Sequence, residues 1–322
     1  MTKPPKTFLL NGNPGPINQR IKNRIPSLSL TVFDNYSKLT DALKNEQPEI
    51  IFAFKIGKKE PFPRKQILEC ASVKWIQASG AGVDHWTPWD TTSVTITNAS
   101  GIHAEVMAQY TMWAILNHRL GFPRMALRQA EKQWDKKLLV SATGATLAIV
   151  GFGRIGAEVG RLAKAHGMRV IGIRAHPTPS PHADDVVDMK MLIDALGQAD
   201  YVLNVLPLTT ATRGLFKSDI FAAMKKGAYL INTGRGQIVD EEALADALQS
   251  GHLGGATLDV FATEPLPRDN PLWTLPNVVI TPHTAGDAEN WEDAVTDLFC
   301  DNLSRWINGK ALKNIVDPIR GY

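Results

Sequence analysis

Gly151, Gly153 and Gly156 stand in G-x-G-x-x-G spacing, directly after the apolar run Ala148-Ile149-Val150 and ahead of a helical pattern. The chemistry this spacing can do is pyrophosphate binding. The first glycine permits a tight turn, the second lets backbone approach a phosphate, and the third lets the helix pack closely on its strand. Amides at the helix start then face the anion. Three such glycines also occur in ordinary tight βα turns, so neighbouring residues must decide. A dinucleotide site places a carboxylate about twenty residues further on, at the end of the next strand, to hold the adenosine ribose. Here Arg174 stands eighteen residues after Gly156. A carboxylate would repel a 2′-phosphate, whereas a guanidinium pairs with it through a planar fork. The expectation is therefore NADP(H), with NAD(H) still usable. His176 and His182 lie on the same loop, which Pro177, Pro179 and Pro181 stiffen.

The elements that must position such a turn follow from the apolar pattern. From Thr146 onward, strands are expected near 146–150, 169–173, 201–206, 228–232, 255–259 and 278–281, most of them separated by helical patterns. Six short strands with intervening helices predict an α/β doubly wound parallel sheet. The first hundred residues alternate in the same way on a smaller scale, with strands near 7–10, 28–33, 49–54, 74–77 and 94–97. A long helix expected over 287–309 would leave the larger sheet and return to this first region. Residues 1–100 completed by 288–322 are thus expected to form a substrate domain, and 101–287 a dinucleotide-binding domain. Between them a helix is expected over 101–117, with Ile102, Val106, Tyr110, Trp113 and Leu116 on its apolar stripe. The stretch after it, Gly121 to Lys137, is basic and expected to be a solvated or subunit-contacting arm.

Composition bounds the rest. The 322 residues are 44% hydrophobic and 21% charged, and 35 basic against 32 acidic residues leave a net charge of +3. That balance argues against nucleic-acid and membrane partners. Cys70 and Cys300 make no disulfide framework and no C-x-x-C pair, so a reducing, cytoplasmic setting is expected. Near the start only Phe8-Leu9-Leu10 is apolar before Asn11-Gly12-Asn13-Pro14 breaks the run, which is too short for a signal peptide or membrane span. His103-Ala104-Glu105 has no C-x-x-C after it, and no other His or Cys pair has metal-ligand spacing, so no metal is expected.

Three more segments follow expected strands: Asn232-Thr233-Gly234-Arg235-Gly236, Leu258 to Pro267 with Asp259 and Glu264-Pro265, and Thr281-Pro282-His283-Thr284-Ala285-Gly286. Together with Leu206-Pro207-Leu208-Thr209 and the glycine turn, they closely resemble the D-isomer-specific 2-hydroxyacid dehydrogenases, in that family's order and over nearly the whole chain. The resemblance implies a Rossmann domain beside a flavodoxin-like one. It further implies that Arg235 binds the substrate carboxylate and polarises the keto oxygen, that His283 is the acid in reduction and the base in oxidation, and that Glu264 holds its ring. Hydride delivery to a 2-keto carbon builds negative charge on oxygen, which calls for a fixed cation and a proton donor working near neutrality. A histidine backed by a carboxylate meets the second requirement.

By the same resemblance, amides of the loop Ser79-Gly80-Ala81-Gly82 hold the substrate carboxylate. Asp259 meets the nicotinamide carboxamide, Arg154 and Ile155 lie over the pyrophosphate, and Pro207, Thr233 and Gly286 line the cofactor cleft. The expected reaction is reversible NAD(P)H-dependent reduction of a small 2-keto acid to the D-2-hydroxy acid, on the scale of glyoxylate or hydroxypyruvate, by a homodimer. Two other readings share the fold: a phosphite dehydrogenase, and a nucleotide-sensing, protein-binding module of the co-repressor type. Trp86, Trp89, Trp134 and Trp291 are open between pocket wall, core and interface.

Overall fold

The structure, a computed structural model, describes residues 4–57 and 61–320. The first three and last two residues of the expected domain ranges lie outside it. In chain order the first elements are β1 (Thr7–Leu10), α1 (Pro14–Arg24), β2 (Leu30–Phe33), α2 (Leu39–Glu46), β3 (Ile50–Ala53), α3 (Arg64–Leu68), β4 (Trp75–Ala78) and β5 (Thr95–Thr97). They continue with α4 (Ala104–Leu120), α5 (Phe122–Ala130), β6 (Thr146–Val150), α6 (Arg154–Ala165), β7 (Arg169–Ile173), β8 (Asp185–Val187), α7 (Leu192–Gln198) and β9 (Tyr201–Asn204). The last are α8 (Ser218–Ala223), β10 (Tyr229–Asn232), α9 (Glu241–Gln249), β11 (Gly255–Leu258), β12 (Val278–Ile280) and α10 (Trp291–Ile307). The chain divides into two compact units, residues 1–103 with 288–322, and residues 104–287.

In the first unit five parallel strands run in the order β2-β1-β3-β4-β5, the flavodoxin-like arrangement. Strands β1, β3 and β4 are buried along their whole length, as parallel strands covered on both faces must be. One face carries Phe8, Ile51, Ile76 and Trp86, the other Leu9, Phe52, Trp75 and the helix α10. Phe299 of α10 stacks on Phe52 with ring centres 4.5 Å apart. Each such fully buried side chain contributes about 1.5–3 kcal/mol, which is what returns the C-terminal helix to the N-terminal sheet. Helix α1 starts at Pro14, where the apolar run at the N-terminus breaks. A proline in the first turn has no amide to lose and its φ suits a helix.

The second unit is a Rossmann sheet of seven parallel strands, β12-β11-β10-β9-β6-β7-β8. Six of its strands carry the expected apolar runs. The seventh, β8, is three residues with an exposed start, and it owes its place to pairing with β7. Strand order reverses between β6 and β9, so the crevice at their carboxyl ends is the topological switch point.

Helix α4 corrects one expectation. The residues it buries are Ala108, Thr111, Met112, Ala114 and Ile115, while Trp113 is 44% exposed. The helix is apolar around much of its circumference, so periodicity alone does not choose its inner face. Packing against α6 chooses it, because small residues such as Ala108 allow close approach where Tyr110 and Trp113 do not. The arm is also less polar than its charge count implies. Phe122, Leu127 and Trp134 on it and Leu138 just after it are exposed, and α5 occupies its first half. No helix among the described residues is long and apolar enough to cross a membrane.

Candidate cofactor and active site

Each glycine of the turn after β6 meets a different constraint. Gly151 has φ +103°, and a Cβ there would lie 2.9 Å from backbone atoms of Val205 and Leu206, so the two turns at the switch point touch through it. Gly156 sits under the turn, where a Cβ would meet the Gly151 carbonyl and the Ile149 side chain at 3.0 Å. Gly153 faces open space. Only the Gly151 carbonyl oxygen comes near a Cβ built on it, at 3.9 Å. Space above the middle glycine, at the start of a twelve-residue helix whose first amides have no intrahelical acceptor, fits a pyrophosphate. Arg154 and Ile155 are the first two residues of that helix, exposed and half-buried respectively. The Phe152 ring fills the space a Cβ of Gly172 would need, which locks the turn onto β7.

Arg174 follows β7, with its amide on the Val187 carbonyl at 3.1 Å. Its half-buried side chain makes no ion pair or hydrogen bond among the described residues. The loop beyond it folds back so that the His182 carbonyl occupies the space a Cβ of Gly160 would need, on the second turn of α6. His176 is exposed and His182 half-buried.

At the ends of β9 and β10 two buried asparagines face each other. The Asn204 amide donates to Oδ1 of Asn232 at 2.9 Å, and the Thr233 amide donates to the Asn204 carbonyl at 3.0 Å. These bonds hold together the turns that carry Pro207 and Arg235. Thr233 is 5% exposed, and its hydroxyl has no partner among the described residues. A buried hydroxyl without a partner costs about 1–3 kcal/mol, so a ligand group beside it would find a ready donor.

Arg235 is half-buried, with Nη1 donating to the Gly234 carbonyl at 2.8 Å. The next residue, Gly236, lies so close to the loop after β11 that a Cβ would overlap the backbone of Phe261 and Ala262. Two side chains fasten the same contact. Gln237 Nε2 donates to the Ala262 carbonyl at 3.0 Å, and Glu241 accepts from the Ala262 amide at 2.6 Å and from Asn270 Nδ2 at 3.0 Å. The arginine turn and the glutamate loop are therefore one rigid piece.

Glu264 lies on that loop, with Oε1 accepting the Phe261 amide at 3.0 Å and Oε2 2.7 Å from Nδ1 of His283. The histidine follows β12 in a left-handed backbone conformation, φ +57°. Asp259, only 2% exposed, holds the histidine loop from both sides. It accepts from Thr281 Oγ1 at 2.6 Å and from the amides of Thr284 and Ala285 at 2.8 and 2.9 Å. Gly286 is half-buried at the end of this loop. Arg235, Glu264 and His283 thus stand at the carboxyl ends of three adjacent strands, with β11 between β10 and β12.

In the first unit, Ser79 to Gly82 form a half-exposed loop after β4. Its carbonyls are pinned, Gly80 by the Ala99 amide at 3.0 Å and Ala81 by Asn98 Nδ2 at 2.7 Å. The amides of Gly80, Ala81 and Gly82 donate to no group among the described residues. Consecutive amides with no acceptor of their own suit an anion.

The tryptophans separate by environment. Trp86 is fully buried against Phe62, Trp134 is fully exposed on the arm, and Trp89 and Trp291 are half-buried. Sequence reasoning passed over Asn204, Glu241 and Thr281. Their only signal was a polar residue at the end of an apolar strand, or an acidic residue at a helix start. Among the described residues no group of three or more His, Cys, Asp or Glu is placed to hold a metal ion.

A Rossmann sheet with a phosphate-sized turn at its switch point, and an arginine, a glutamate and a histidine at the ends of three adjacent strands, defines the class of a nicotinamide-type oxidoreductase. Comparison with known proteins specifies it. Residues 112–285 match the family model described as D-isomer specific 2-hydroxyacid dehydrogenase, NAD binding domain, and the chain belongs to that family. The glyoxylate/hydroxypyruvate reductase B of Citrobacter koseri is 37% identical over 237 residues, covering 70% of this chain and 72% of that protein. The D-3-phosphoglycerate dehydrogenase of Methanocaldococcus jannaschii is 32% identical over 259 residues, and the match spans only 49% of its length. Among solved structures, a D-isomer specific 2-hydroxyacid dehydrogenase family protein from Aeromonas salmonicida superposes with a TM-score of 0.84 at 33% identity, covering 97% of this chain and 99% of that one. A D-isomer specific 2-hydroxyacid dehydrogenase from Xanthobacter autotrophicus, in complex with NADPH and MES, gives 0.87 at 28% identity, covering 99% and 100%.

Proposed function

We propose that this protein reduces a small 2-keto acid to its D-2-hydroxy acid with NADPH in preference to NADH. The observation that carries the reading is the His283–Glu264 pair at 2.7 Å, fastened to the loop of Arg235. With Nδ1 engaged by the carboxylate, the other ring nitrogen, Nε2, is left to give a proton to the keto oxygen. Glu264 steadies the ring when it is protonated. Arg235 carries the fixed cation that draws the keto oxygen and the carboxylate, and in the first unit the amides of Gly80, Ala81 and Gly82 are donors of the kind a carboxylate takes. A reduced nicotinamide, when bound, would supply the hydride for C2. In the reverse direction His283 accepts the hydroxyl proton.

Gly151, Gly153 and Gly156 with Arg154 and Ile155 would hold the pyrophosphate, Pro207, Thr233 and Gly286 would line the cleft, and Arg174 would pair with the 2′-phosphate. Asp259 has one carboxylate lone pair beyond the three bonds it accepts, which leaves room for a carboxamide donor. The NADPH in the Xanthobacter relative and the name of the Citrobacter relative both support this reading. So do the exposed Phe122, Leu127, Trp134 and Leu138 for a homodimer formed through α4 and the arm. Unpaired Cys70 and Cys300 agree with a cytoplasmic setting.

The test is a panel of 2-keto acids, from glyoxylate and hydroxypyruvate to short alkyl homologues, each with NADPH and NADH, followed by absorbance of the reduced cofactor. Turnover faster with NADPH is expected. If no acid turned over while NADPH still bound, the enzyme reading would fall and the nucleotide-sensing module would take its place.

A further inference from the structure

We propose that Tyr110 is a positioning residue for His283, acting through Thr281 and the carboxylate of Asp259. The proposal rests on the reading of His283 as the proton donor.

The Tyr110 hydroxyl lies 2.6 Å from Thr281 Oγ1, and Thr281 Oγ1 lies 2.6 Å from Asp259 Oδ1. Directions follow from the proton inventory. An ionised carboxylate only accepts, so the single hydroxyl proton of Thr281 goes to Asp259, and toward Tyr110 the threonine oxygen can only accept. Tyr110 must then be the donor. Burial raises its pKa well above that of a free phenol, which keeps that proton in place. The chain runs from phenol to hydroxyl to carboxylate, and each bond polarises the next.

The far end of the chain is the histidine loop. Thr281 is two residues before His283, and Thr284 and Ala285, whose amides Asp259 also accepts, are one and two residues after it. One buried carboxylate thus grips both flanks of a residue at φ +57°. A histidine leaves that conformation unless its surroundings hold it there. Tyr110 orients Thr281, Thr281 orients the carboxylate, and the carboxylate holds the turn that aims the ring at Glu264. Tyr110 arrives from α4, far from the loop in sequence, and half-buried on the flank of the helix rather than on its buried stripe. A tyrosine serving only to fill space needs no hydroxyl at this distance.

Four variants test the proposal, with glyoxylate or the best acid of the panel as substrate. Tyr110→Phe keeps the ring and deletes one neutral hydrogen bond, so kcat should fall about fivefold, while KM for the acid and Kd for NADPH stay within about twofold. Thr281→Val should lose at least as much kcat, and the double variant should be no slower than Thr281→Val alone, because the tyrosine acts only through the threonine. Thr281→Ser, which keeps the hydroxyl, should restore kcat. Unchanged kcat in Tyr110→Phe, multiplicative losses in the double variant, or a matching rise in KM would each overturn the proposal. Full turnover in His283→Ala is the separate result that removes the catalytic reading, and the positioning role with it.

Discussion

Nδ1 of His283 lies 2.7 Å from Oε2 of Glu264, while Oε1 of the same carboxylate accepts the Phe261 amide at 3.0 Å. The glutamate is thereby tied to its own loop by one oxygen and to the imidazole by the other, so the ring cannot rotate without breaking a charge-assisted contact. Replacing His283 by Ala should lower kcat by about 10²- to 10⁴-fold, the usual contribution of a general acid, with NADPH affinity retained. Glu264→Gln, which keeps an acceptor and loses the charge, should cost less, on the order of tenfold. Steady-state kinetics beside fluorescence titration of NADPH separate the two effects. Comparable loss of cofactor binding in both variants would speak against the assignment.

Gly236 and Gly153 should respond oppositely to the same methyl group. At Gly236 a Cβ overlaps the backbone of Phe261 and Ala262, so Gly236→Ala should destabilise the second unit by about 3 kcal/mol or more, seen as a lower melting temperature. At Gly153 φ is negative, −102°, and the protein leaves space for a Cβ. Gly153→Ala should therefore melt within about 1 kcal/mol of the parent and instead weaken NADPH binding, about tenfold or more. A normal NADPH Kd in Gly153→Ala would remove the pyrophosphate from this turn.

Arg174 makes no ion pair within the described protein, so its charge is available for a ligand. Arg174→Asp should shift the ratio of kcat/KM from NADPH toward NADH by about ten- to a hundredfold, the worth of a charge-assisted hydrogen bond. An unchanged ratio would place the 2′-phosphate elsewhere.

His118, at the end of α4, has Nδ1 2.9 Å from the Tyr201 hydroxyl and stacks on Tyr229 at 4.2 Å. Burial, with the Arg119 charge adding to it, depresses its basicity below that of a free imidazole. In the unfolded chain the residue titrates near about pH 6.5. Above that pH both states are neutral and the titration of His118 does not change stability. As pH falls, the unfolded chain takes up a proton that the folded state resists, so stability declines. His118→Gln should flatten the fall in melting temperature between about pH 7 and pH 5. An equally steep fall would assign the acid sensitivity to other groups.

Much of this protein is legible without coordinates because its information is local. An apolar run ending in glycines, an Arg in Gly234-Arg235-Gly236 and a His after Pro282 announce strand ends, and parallel sheets collect strand ends on one edge. Strands β6, β7, β9, β10 and β11 are recognisable because burial on both faces requires continuous apolar runs, and the edge strand β12 by its short run Val278-Val279-Ile280. Weaker elements are not recognisable in this way. Strand β8 is three residues held by its neighbour, and the inner face of α4 is settled by what packs on it.

The sequence by itself determined which residue types stand at which strand ends, and from that the family, the glycine turn and the arginine, glutamate and histidine. Tertiary structure alone decided how those residues are held. The overlap of Gly236 with Phe261, the facing of Asn204 and Asn232, and the run from Tyr110 through Thr281 to Asp259 join residues 22 to 171 positions apart. Periodicity and spacing describe neighbours along the chain. A hydrogen bond between distant residues exists only once burial has brought them together and excluded the water that would otherwise satisfy them.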